Sequence, residues 1–197
     1  MIKRCFDFSM ALFGLILLTP LLLLVAFWIK LDSKGPVFFR QERVGRYGVV
    51  FRIFKFRTMT VSTEKNQQLT VGNDVRITRA GYLLRRYKID ELPQLINVLF
   101  GAMSLVGPRP EVPKYVKCYP AAVREIVLSV PPGITDWASI KYKAENSILG
   151  KSSDPEKTYI EEILPIKLEF YLNYVNKRTM LMDLKIIFAT FVALISV

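Results

Sequence analysis

The chain has 197 residues, of which 51% are apolar, and it carries a formal net charge of +11. A strongly basic chain is expected to meet anionic partners, such as nucleic acid, anionic lipid or phosphorylated substrates. The sequence contains no histidine, which excludes a histidine general base and histidine metal ligands. Its two cysteines, Cys5 and Cys118, lie far apart, so neither a disulfide framework nor a zinc site is expected.

Residues 8–29 form an uncharged apolar run that is long enough to span a bilayer. Thr19 and Pro20 lie in its middle, where proline is expected to kink a helix and the threonine hydroxyl can bond a carbonyl one turn earlier. Basic residues flank both ends, and each resists translocation. We therefore predict a re-entrant helix over residues 1–32 that bends at Thr19 and Pro20. A simple span with a tolerated proline and a buried core helix are the alternatives.

The remaining elements follow from periodicity and from turn residues. Segments 37–39 and 49–56 predict two short strands around a turn at 45–48, and the polar segment 62–73 predicts a loop. Helical patterns occur at 77–87, 92–100, 113–119, 121–128 and 156–176, the last with a kink expected at Pro165. The apolar segment 184–197 is too short to span and is expected to lie in the membrane interface.

These patterns predict a mixed α/β fold, mainly helical, with a small strand element and a membrane helix that enters and leaves on one face. The expected organisation is a re-entrant helix at 1–32, a cytoplasmic catalytic domain at 33–183 and an interfacial tail at 184–197.

Asp90 and Glu91 are the most informative residues. Pro93 is tolerated only in the first turn of a helix, so the two carboxylates are expected at a helix N-terminus, which favours anions. Capping alone would explain that position. However, the pair is surrounded in sequence by cations: Arg76, Arg79, Arg85, Arg86, Lys88 and Arg109. A carboxylate kept ionised in this way suits a nucleophile or a ligand for Mg²⁺, and arginines suit phosphate oxygens.

The chain resembles the monotopic phosphoglycosyl transferases, the bacterial sugar transferases that start lipid-linked glycan assembly. The resemblance runs through most of the chain, and its motifs are specific because they occur together in one order. They are Lys3-Arg4-x-x-Asp7 with Thr19-Pro20, Gly35-Pro36-Val37-Phe38-Phe39-Arg40-Gln41-x-Arg43-Val44-Gly45, Phe54-Lys55-Phe56-Arg57-Thr58-Met59, Arg76-Ile77-Thr78-Arg79-x-Gly81, Asp90-Glu91-Leu92-Pro93-Gln94-Leu95-x-Asn97, Ser104-Leu105-Val106-Gly107-Pro108-Arg109-Pro110, Pro132-Gly133-Ile134-Thr135 with Trp137-Ala138, and Leu184-Lys185-Ile186-Ile187.

The resemblance implies a mechanism and a site. Asp90 would attack the sugar-linked phosphate of a UDP-sugar, UMP would leave, and polyprenyl phosphate would then take the phospho-sugar from Asp90. Glu91 would be the supporting catalytic carboxylate, and Asp90 would also bind Mg²⁺. The implied substrate-binding residues are Arg109, Pro110, Lys55, Arg57, Arg85 and Lys143. We also expect the minimal catalytic form of the family, without the extra N-terminal helices of longer members.

Three departures from the family pattern affect donor contacts. Asp136 stands where the family usually has glycine, and the segment 141–145 lacks the usual Asn-Gly-Arg-Asn, with Lys143 at the position of its arginine. The insert-like segment 146–165 is also unlike the commonest members. These differences leave the identity of the sugar open.

The expected partners are a UDP-sugar, a polyprenyl phosphate and membrane lipid, without nucleic acid, at the cytoplasmic face of the bacterial inner membrane. A homodimer is left open. The rival hypothesis is a membrane-anchored basic protein that binds anionic lipid or nucleic acid without catalysis. It explains the charge and the apolar helix, but it gives no role to adjacent carboxylates among cations.

Overall fold

The structure, a computed structural model, describes residues 2–60, 74–142 and 148–195. Lys143 and the predicted loop at 62–73 lie outside these ranges. The described part is mainly helical with two small sheets, which confirms the mixed, mainly helical fold class. The helices and strands are α1 Ile2–Asp32, β1 Phe38–Val44, β2 Val50–Phe56, α2 Arg79–Arg86, α3 Gln94–Leu99, β3 Ser104–Val106, α4 Pro113–Val116, α5 Ala121–Val127, β4 Gly133–Thr135, α6 Trp137–Lys141, α7 Pro155–Thr158, α8 Leu164–Lys177 and α9 Met180–Ile195.

The first helix, α1, is long and apolar enough to cross a membrane, judged by length and composition. It is one continuous helix that contains Pro20. The Thr19 hydroxyl donates a hydrogen bond to the Leu15 carbonyl at 2.6 Å, as the sequence predicted. The middle of the helix exposes large apolar side chains, among them Phe13, Ile16 and Leu24 at 61–68% exposure.

Both ends of α1 are held by the rest of the protein. Near its start, Asp7 accepts hydrogen bonds from the Ser104 hydroxyl at 2.8 Å and from the Leu105 amide at 3.2 Å. Near its end, the Asp32 carboxylate accepts from the Ala80 amide at 3.1 Å, which caps the incoming helix α2. A 31-residue helix is about 46 Å long if straight. The part of the chain that follows α1 therefore contacts this helix close to both of its termini.

Strands β1 and β2 form the predicted antiparallel hairpin, in which Gln41 pairs with Ile53 and Phe39 pairs with Lys55. The turn is a short 3₁₀ segment, Arg46–Gly48, in which Tyr47 has a φ of 58°. Asn97 of α3 closes the free edge of β2, because its side chain accepts from Phe54 N at 2.8 Å and donates to Arg52 O at 3.0 Å. This clamp places α3 beside the edge of β2.

The parallel pair β3–β4 was not predicted as strands. Each of the two strands is only three residues long. Gly133 lies so close to Gly107 that a Cβ added to Gly133 would come within 2.1 Å of the Gly107 nitrogen. Only glycine permits this approach of two backbones. The Gly133 amide also donates to Pro108 O at 2.9 Å, so β4 positions the turn that carries Arg109.

Near Pro165, where the sequence predicted a kink, the structure shows a local change of helix type. The chain passes from α7 through a π-helical segment, Tyr159–Ile163, into α8, and Pro165 occupies the first turn of α8. Proline has no amide hydrogen to donate to the preceding turn, which accounts for the irregularity just before it. Together α4, α5 and α8 enclose the largest core, in which Tyr115, Tyr159 and Tyr171 are buried.

The predicted tail at 184–197 is most of α9, which begins earlier, at Met180. One face of α9 is buried through Asp183 and Ile186, and Thr190 bonds Thr135 of β4 at 2.7 Å. Its other face exposes large apolar side chains, including Phe188 at 71% and Ile195 at 85%.

Candidate active site

Asp90 and Glu91 lie in a 3₁₀ turn, Ile89–Glu91, directly before α3. The sequence predicted a helix start near Leu92, whereas α3 begins two residues later, after Pro93. Lys88 precedes the turn in the left-handed conformation, with φ 56° and ψ 18°, an uncommon state for a residue other than glycine. Both carboxylates are buried, Asp90 with 1% and Glu91 with 7% of its surface exposed.

Two cations from different parts of the chain meet these carboxylates. Lys55, near the end of β2, places its Nζ 2.8 Å from Asp90 Oδ2 and 3.3 Å from Glu91 Oε1. Arg109 forms a two-pronged pair with Glu91, with Nη2–Oε1 at 2.5 Å and Nη1–Oε2 at 3.3 Å. We call Lys55, Asp90, Glu91 and Arg109 the charge cluster. The structure thus brings together both predicted catalytic residues and two of the predicted phosphate contacts.

Both carboxylate oxygens of Glu91 accept hydrogen bonds, and the carboxylate remains ionised. Burial raises the pKa of Glu91, but the charges of Arg109, Lys55 and Lys88 lower it by more than burial raises it. The pKa of Glu91 therefore lies well below the usual value. In return, Glu91 raises the pKa of Arg109 well above that of a free guanidinium. Glu91 therefore acts as a permanent anion that orients two cations.

Only one of the two carboxylate oxygens of Asp90 has a partner within the described residues. Its Oδ2 pairs with Lys55, while its buried Oδ1 has no hydrogen-bond partner within the described residues. A buried carboxylate oxygen without a partner is costly, which points to a ligand that satisfies it. Those same residues contain no group of three or more carboxylate, cysteine or histidine side chains that could hold a metal ion. An ion bound here would take few protein ligands, which suits Mg²⁺ because it keeps waters and binds substrate phosphates.

The other predicted binding residues occupy varied positions. Pro110 is buried beside a small recess that Lys55 and Arg109 also line. Arg85 lies half-buried on α2, and its charge adds to the hydrogen bond of Arg76 in lowering the pKa of Asp74. Within the described residues Arg85 forms no hydrogen bond or ion pair with Asp90 or Glu91.

Arg57 has a structural position that the sequence did not predict. It is 4% exposed, and its guanidinium donates to the carbonyls of Lys34, Ser33 and Ile29 at the end of α1. The Ile29 carbonyl also accepts from the Ser33 amide at 3.2 Å, and Ser33 and Lys34 lie just past the last helical residue. Arg57 therefore caps the end of α1. We therefore do not include Arg57 in the proposed substrate site. Lys143 lies outside the described residues.

A second buried ionic group lies behind the Arg109 turn and was given no role by the sequence. Glu111 accepts from the Tyr159 hydroxyl at 2.6 Å and from Lys167 Nζ at 3.2 Å, and its Oε2 lies 3.6 Å from Arg43. We call Arg43, Glu111, Tyr159 and Lys167 the support network. One signal was available, since Lys167 is a charge on the buried face of an otherwise apolar stretch of α8.

Asp136, the departure from the family's glycine, has a clear local function. It precedes α6 and caps it, because its carboxylate accepts from the Ser139 amide at 3.0 Å and from the Ser139 hydroxyl at 2.6 Å. Burial raises its pKa. The substitution thus provides an N-cap where glycine would leave the first turn uncapped.

The family model described as bacterial sugar transferase matches residues 1–197. The chain belongs to the bacterial sugar transferase family. Its resemblance to the phosphoglycosyl transferases is thereby confirmed, and it is an enzyme of this family.

Named relatives agree with this assignment. The chain is 39% identical over 193 residues to the UDP-glucose:undecaprenyl-phosphate glucose-1-phosphate transferase of Escherichia coli K12, covering 96% of this chain and 39% of that protein. It is 38% identical over 192 residues to the UDP-N-acetylgalactosamine-undecaprenyl-phosphate N-acetylgalactosaminephosphotransferase of Aeromonas hydrophila, covering 96% of this chain and 42% of that protein. The exopolysaccharide production protein PSS of Rhizobium leguminosarum is 37% identical over 207 residues, covering 98% of this chain and 94% of that protein.

The chain therefore spans about two fifths of the length of the first two relatives and nearly the whole of the third. The relatives' names describe transferases or polysaccharide production. They give no support to the rival hypothesis of a basic binding protein without catalysis.

The support network generates a prediction about stability. Glu111→Gln leaves Lys167 and Arg43 without their buried counter-charge and should lower the free energy of unfolding by about 3 kcal/mol at pH 7. Burial raises the pKa of Glu111, but Lys167 and Arg43 lower it more, so its folded pKa lies below the ordinary 4.5. The stabilisation is therefore fully present above pH 4.5 and is lost as the pH falls through the folded pKa.

Denaturant unfolding of the detergent-solubilised protein at several pH values tests this expectation. Glu156→Gln is the matched control, because Glu156 pairs with Lys114 at the surface and should contribute at most about 1 kcal/mol. Equal stability of the two variants at pH 7 would show that the network does not stabilise the fold.

Proposed function

We propose that this protein transfers a phospho-sugar from a UDP-sugar to undecaprenyl phosphate through a covalent intermediate on Asp90. The observation that supports this most directly is the asymmetry of Asp90. One oxygen is held by Lys55 at 2.8 Å, and the other is buried without a partner. A carboxylate held in this way is oriented by Lys55, yet it keeps one oxygen for bond formation. The names of the relatives supply the two substrates of the proposal.

In the first half-reaction, an Asp90 oxygen forms a bond to the sugar-linked phosphorus of the donor. The bond from that phosphorus to the bridging diphosphate oxygen breaks, and UMP leaves with the electron pair. Lys55 and Arg109 are placed to offset the negative charge that develops on the phosphoryl oxygens. Glu91 binds no substrate in this scheme, because Arg109 and Lys55 already occupy its oxygens.

In the second half-reaction, a phosphate oxygen of polyprenyl phosphate attacks the same phosphorus. The bond to Asp90 breaks, the carboxylate is restored, and the product is a polyprenyl diphosphate sugar. No histidine is needed, because the acceptor phosphate is already an anion and the leaving group is a carboxylate. Lys55 remains beside Asp90 through both steps and stabilises the carboxylate when it departs.

Mg²⁺ is the cofactor of this proposal. Asp90 would hold it, together with waters and the oxygens of the donor diphosphate. When bound, it would neutralise diphosphate charge and make UMP a better leaving group. The unpartnered, buried Oδ1 of Asp90 supports this role, since both Mg²⁺ and phosphorus are reached by a free carboxylate lone pair.

We further propose that α1 is re-entrant and that the catalytic part lies on the cytoplasmic face of the bacterial inner membrane. Hydrogen bonds to Asp7 and Asp32 tie both ends of the helix to one polar domain. A polar domain cannot accompany both ends of a helix that crosses the bilayer completely. Lys3 adds to this argument, because it pairs with Asp183 of α9 at 2.6 Å at the start of the chain. The exposed apolar face of α9 suits the membrane interface.

Asp90→Asn tests the nucleophile. An amide keeps the size of the side chain but cannot attack phosphorus, so UMP release should fall at least about a thousandfold while the variant still unfolds cooperatively. Asp154→Asn is the matched control, because asparagine replaces aspartate well at the cap of α7. Near-normal UMP release by Asp90→Asn would refute the covalent role.

The metal requirement is tested by adding excess EDTA to the turnover assay. Activity should fall to background and return with Mg²⁺ or Mn²⁺, because carboxylate and diphosphate oxygens are hard ligands. Zn²⁺ should restore less, since the described residues offer it no cysteine or histidine cluster. Full activity in EDTA would exclude the metal.

The topology is tested with a single cysteine at position 2, in a chain whose Cys5 and Cys118 are replaced. A membrane-impermeant thiol reagent should not label this cysteine from outside intact cells. Changing Thr19 and Pro20 together to leucine should favour a straight span and make the cysteine reactive. Labelling of the chain with Thr19 and Pro20 intact would show a complete span.

A further inference from the structure

The recess beside the charge cluster contains a side chain whose role is open. Gln41 lies in β1, half-buried, and lines the recess together with Arg43, Lys55, Gln94, Arg109 and Pro110. Strand alternation places Gln41 and Arg43 on the same face of the hairpin as Lys55 of β2. The recess is therefore rich in hydrogen-bond donors and lies next to the proposed nucleophile.

Arg43 decides which way the Gln41 carboxamide points. Its Nη2 donates to Gln41 Oε1 at 2.7 Å. A guanidinium has only donors, so the oxygen of the carboxamide must face Arg43, and the opposite orientation would set two donors against each other. The NH₂ group of Gln41 is left over, because the hydrogen bond that this side chain makes within the described residues uses only its oxygen. It remains available as a neutral donor at the recess.

Arg43 in turn is held by buried groups and cannot turn away easily. Its Nη1 donates to Pro110 O at 3.0 Å and lies 3.6 Å from Glu111 Oε2. Glu111 is itself bonded by Tyr159 and Lys167. The orientation of Gln41 is thus set by the support network, which reaches from α8 to the edge of the recess.

We propose that the Gln41 NH₂ group binds a phosphoryl oxygen of the substrate in this recess. The inference rests on the proposed function, and it adds a neutral donor to the two cations Lys55 and Arg109. A phosphoryl oxygen could come from the donor diphosphate or from the acceptor phosphate. Both are acceptors only, so both match the group that Arg43 leaves free.

Gln41→Glu separates binding from folding. Glutamate keeps an oxygen for Arg43 and gains a charge-assisted hydrogen bond there, so the thermal unfolding midpoint should not fall. On the other side it replaces the NH₂ donor by a carboxylate oxygen, which repels phosphate. The KM of the affected substrate should rise at least about tenfold, with a smaller change in kcat. Gln41→Met, which loses the donor without adding charge, should show a smaller rise.

Arg40→Gln is the matched control. It lowers the net charge by one, as Gln41→Glu does, but Arg40 is exposed on the opposite face of β1, over the ring of Phe54 at 3.6 Å. Its kinetics should stay within about twofold of wild type. If Arg40→Gln raised KM as much as Gln41→Glu, the effect would be one of bulk charge and the proposal would fail.

Separate measurements of the two half-reactions identify which substrate supplies the phosphoryl oxygen that Gln41 binds. UMP release without acceptor, measured against UDP-sugar concentration, reports the donor, and turnover against undecaprenyl phosphate concentration reports the acceptor. A weakened response in either measurement supports the proposal and names the ligand. Normal KM values for both substrates in Gln41→Glu would overturn it. If the wild-type enzyme released no UMP from any UDP-sugar, the proposed function would fail, a result distinct from a negative result with the variant.

Discussion

The contact of Lys55 with both carboxylates is the interaction on which the site depends. Its ammonium lies 2.8 Å from Asp90 and 3.3 Å from Glu91, and it joins the end of the hairpin to the turn before α3. Arg109 brings in a third segment through Glu91. The cluster contains two anions and two cations, so its net charge is zero, which limits the large free-energy cost of burying charge. Removal of any one member would leave an uncompensated charge in a buried place.

The support network is a second buried ionic group, and the two groups are connected through one turn of the chain. Arg109 contacts Glu91, and Glu111, two residues later, contacts Arg43 and Lys167. The backbone just before Arg109 is held from the other side by Gly133 of β4, whose amide donates to Pro108 O. The phosphate contact proposed for Arg109 needs this kind of precise placement, since small displacements are costly in catalysis.

Helix α1 and the site are also linked by short-range contacts. Arg57, in the segment that follows β2, caps the end of α1, and Phe56 packs in the same core as Val25 and Ile29. The strand that supplies Lys55 therefore continues directly into the packing of α1. With α1 in the membrane as proposed, this arrangement would keep the charge cluster at a fixed position relative to the bilayer surface, as the proposed transfer from a soluble donor to a lipid acceptor requires.

The sequence by itself determined the elements with strong local signals. The apolar run of α1, the hairpin around residues 45–48, and the helices near 79–86 and 121–127 follow from periodicity and turn residues, which act within a few positions. The importance of Asp90 and Glu91 was also evident, because carboxylates among so many cations require an explanation. Lys55 and Arg109 were singled out for phosphate, and the structure places both against those carboxylates.

Only the tertiary structure decided how distant residues are paired. Arg57 and Lys55 look alike as neighbouring cations, yet Lys55 lies within β2 and pairs with Asp90, whereas Arg57 follows the end of the strand and caps α1. Glu111 and Lys167 are 56 positions apart and meet in a core that no local pattern encodes. The three-residue strands β3 and β4 carry too little periodicity to be recognised, and they form because Gly107 and Gly133 allow their backbones to approach. Local patterns set which segments become helix or strand, whereas the pairing of buried charges is set by packing, because each charge must find its partner wherever the fold brings one.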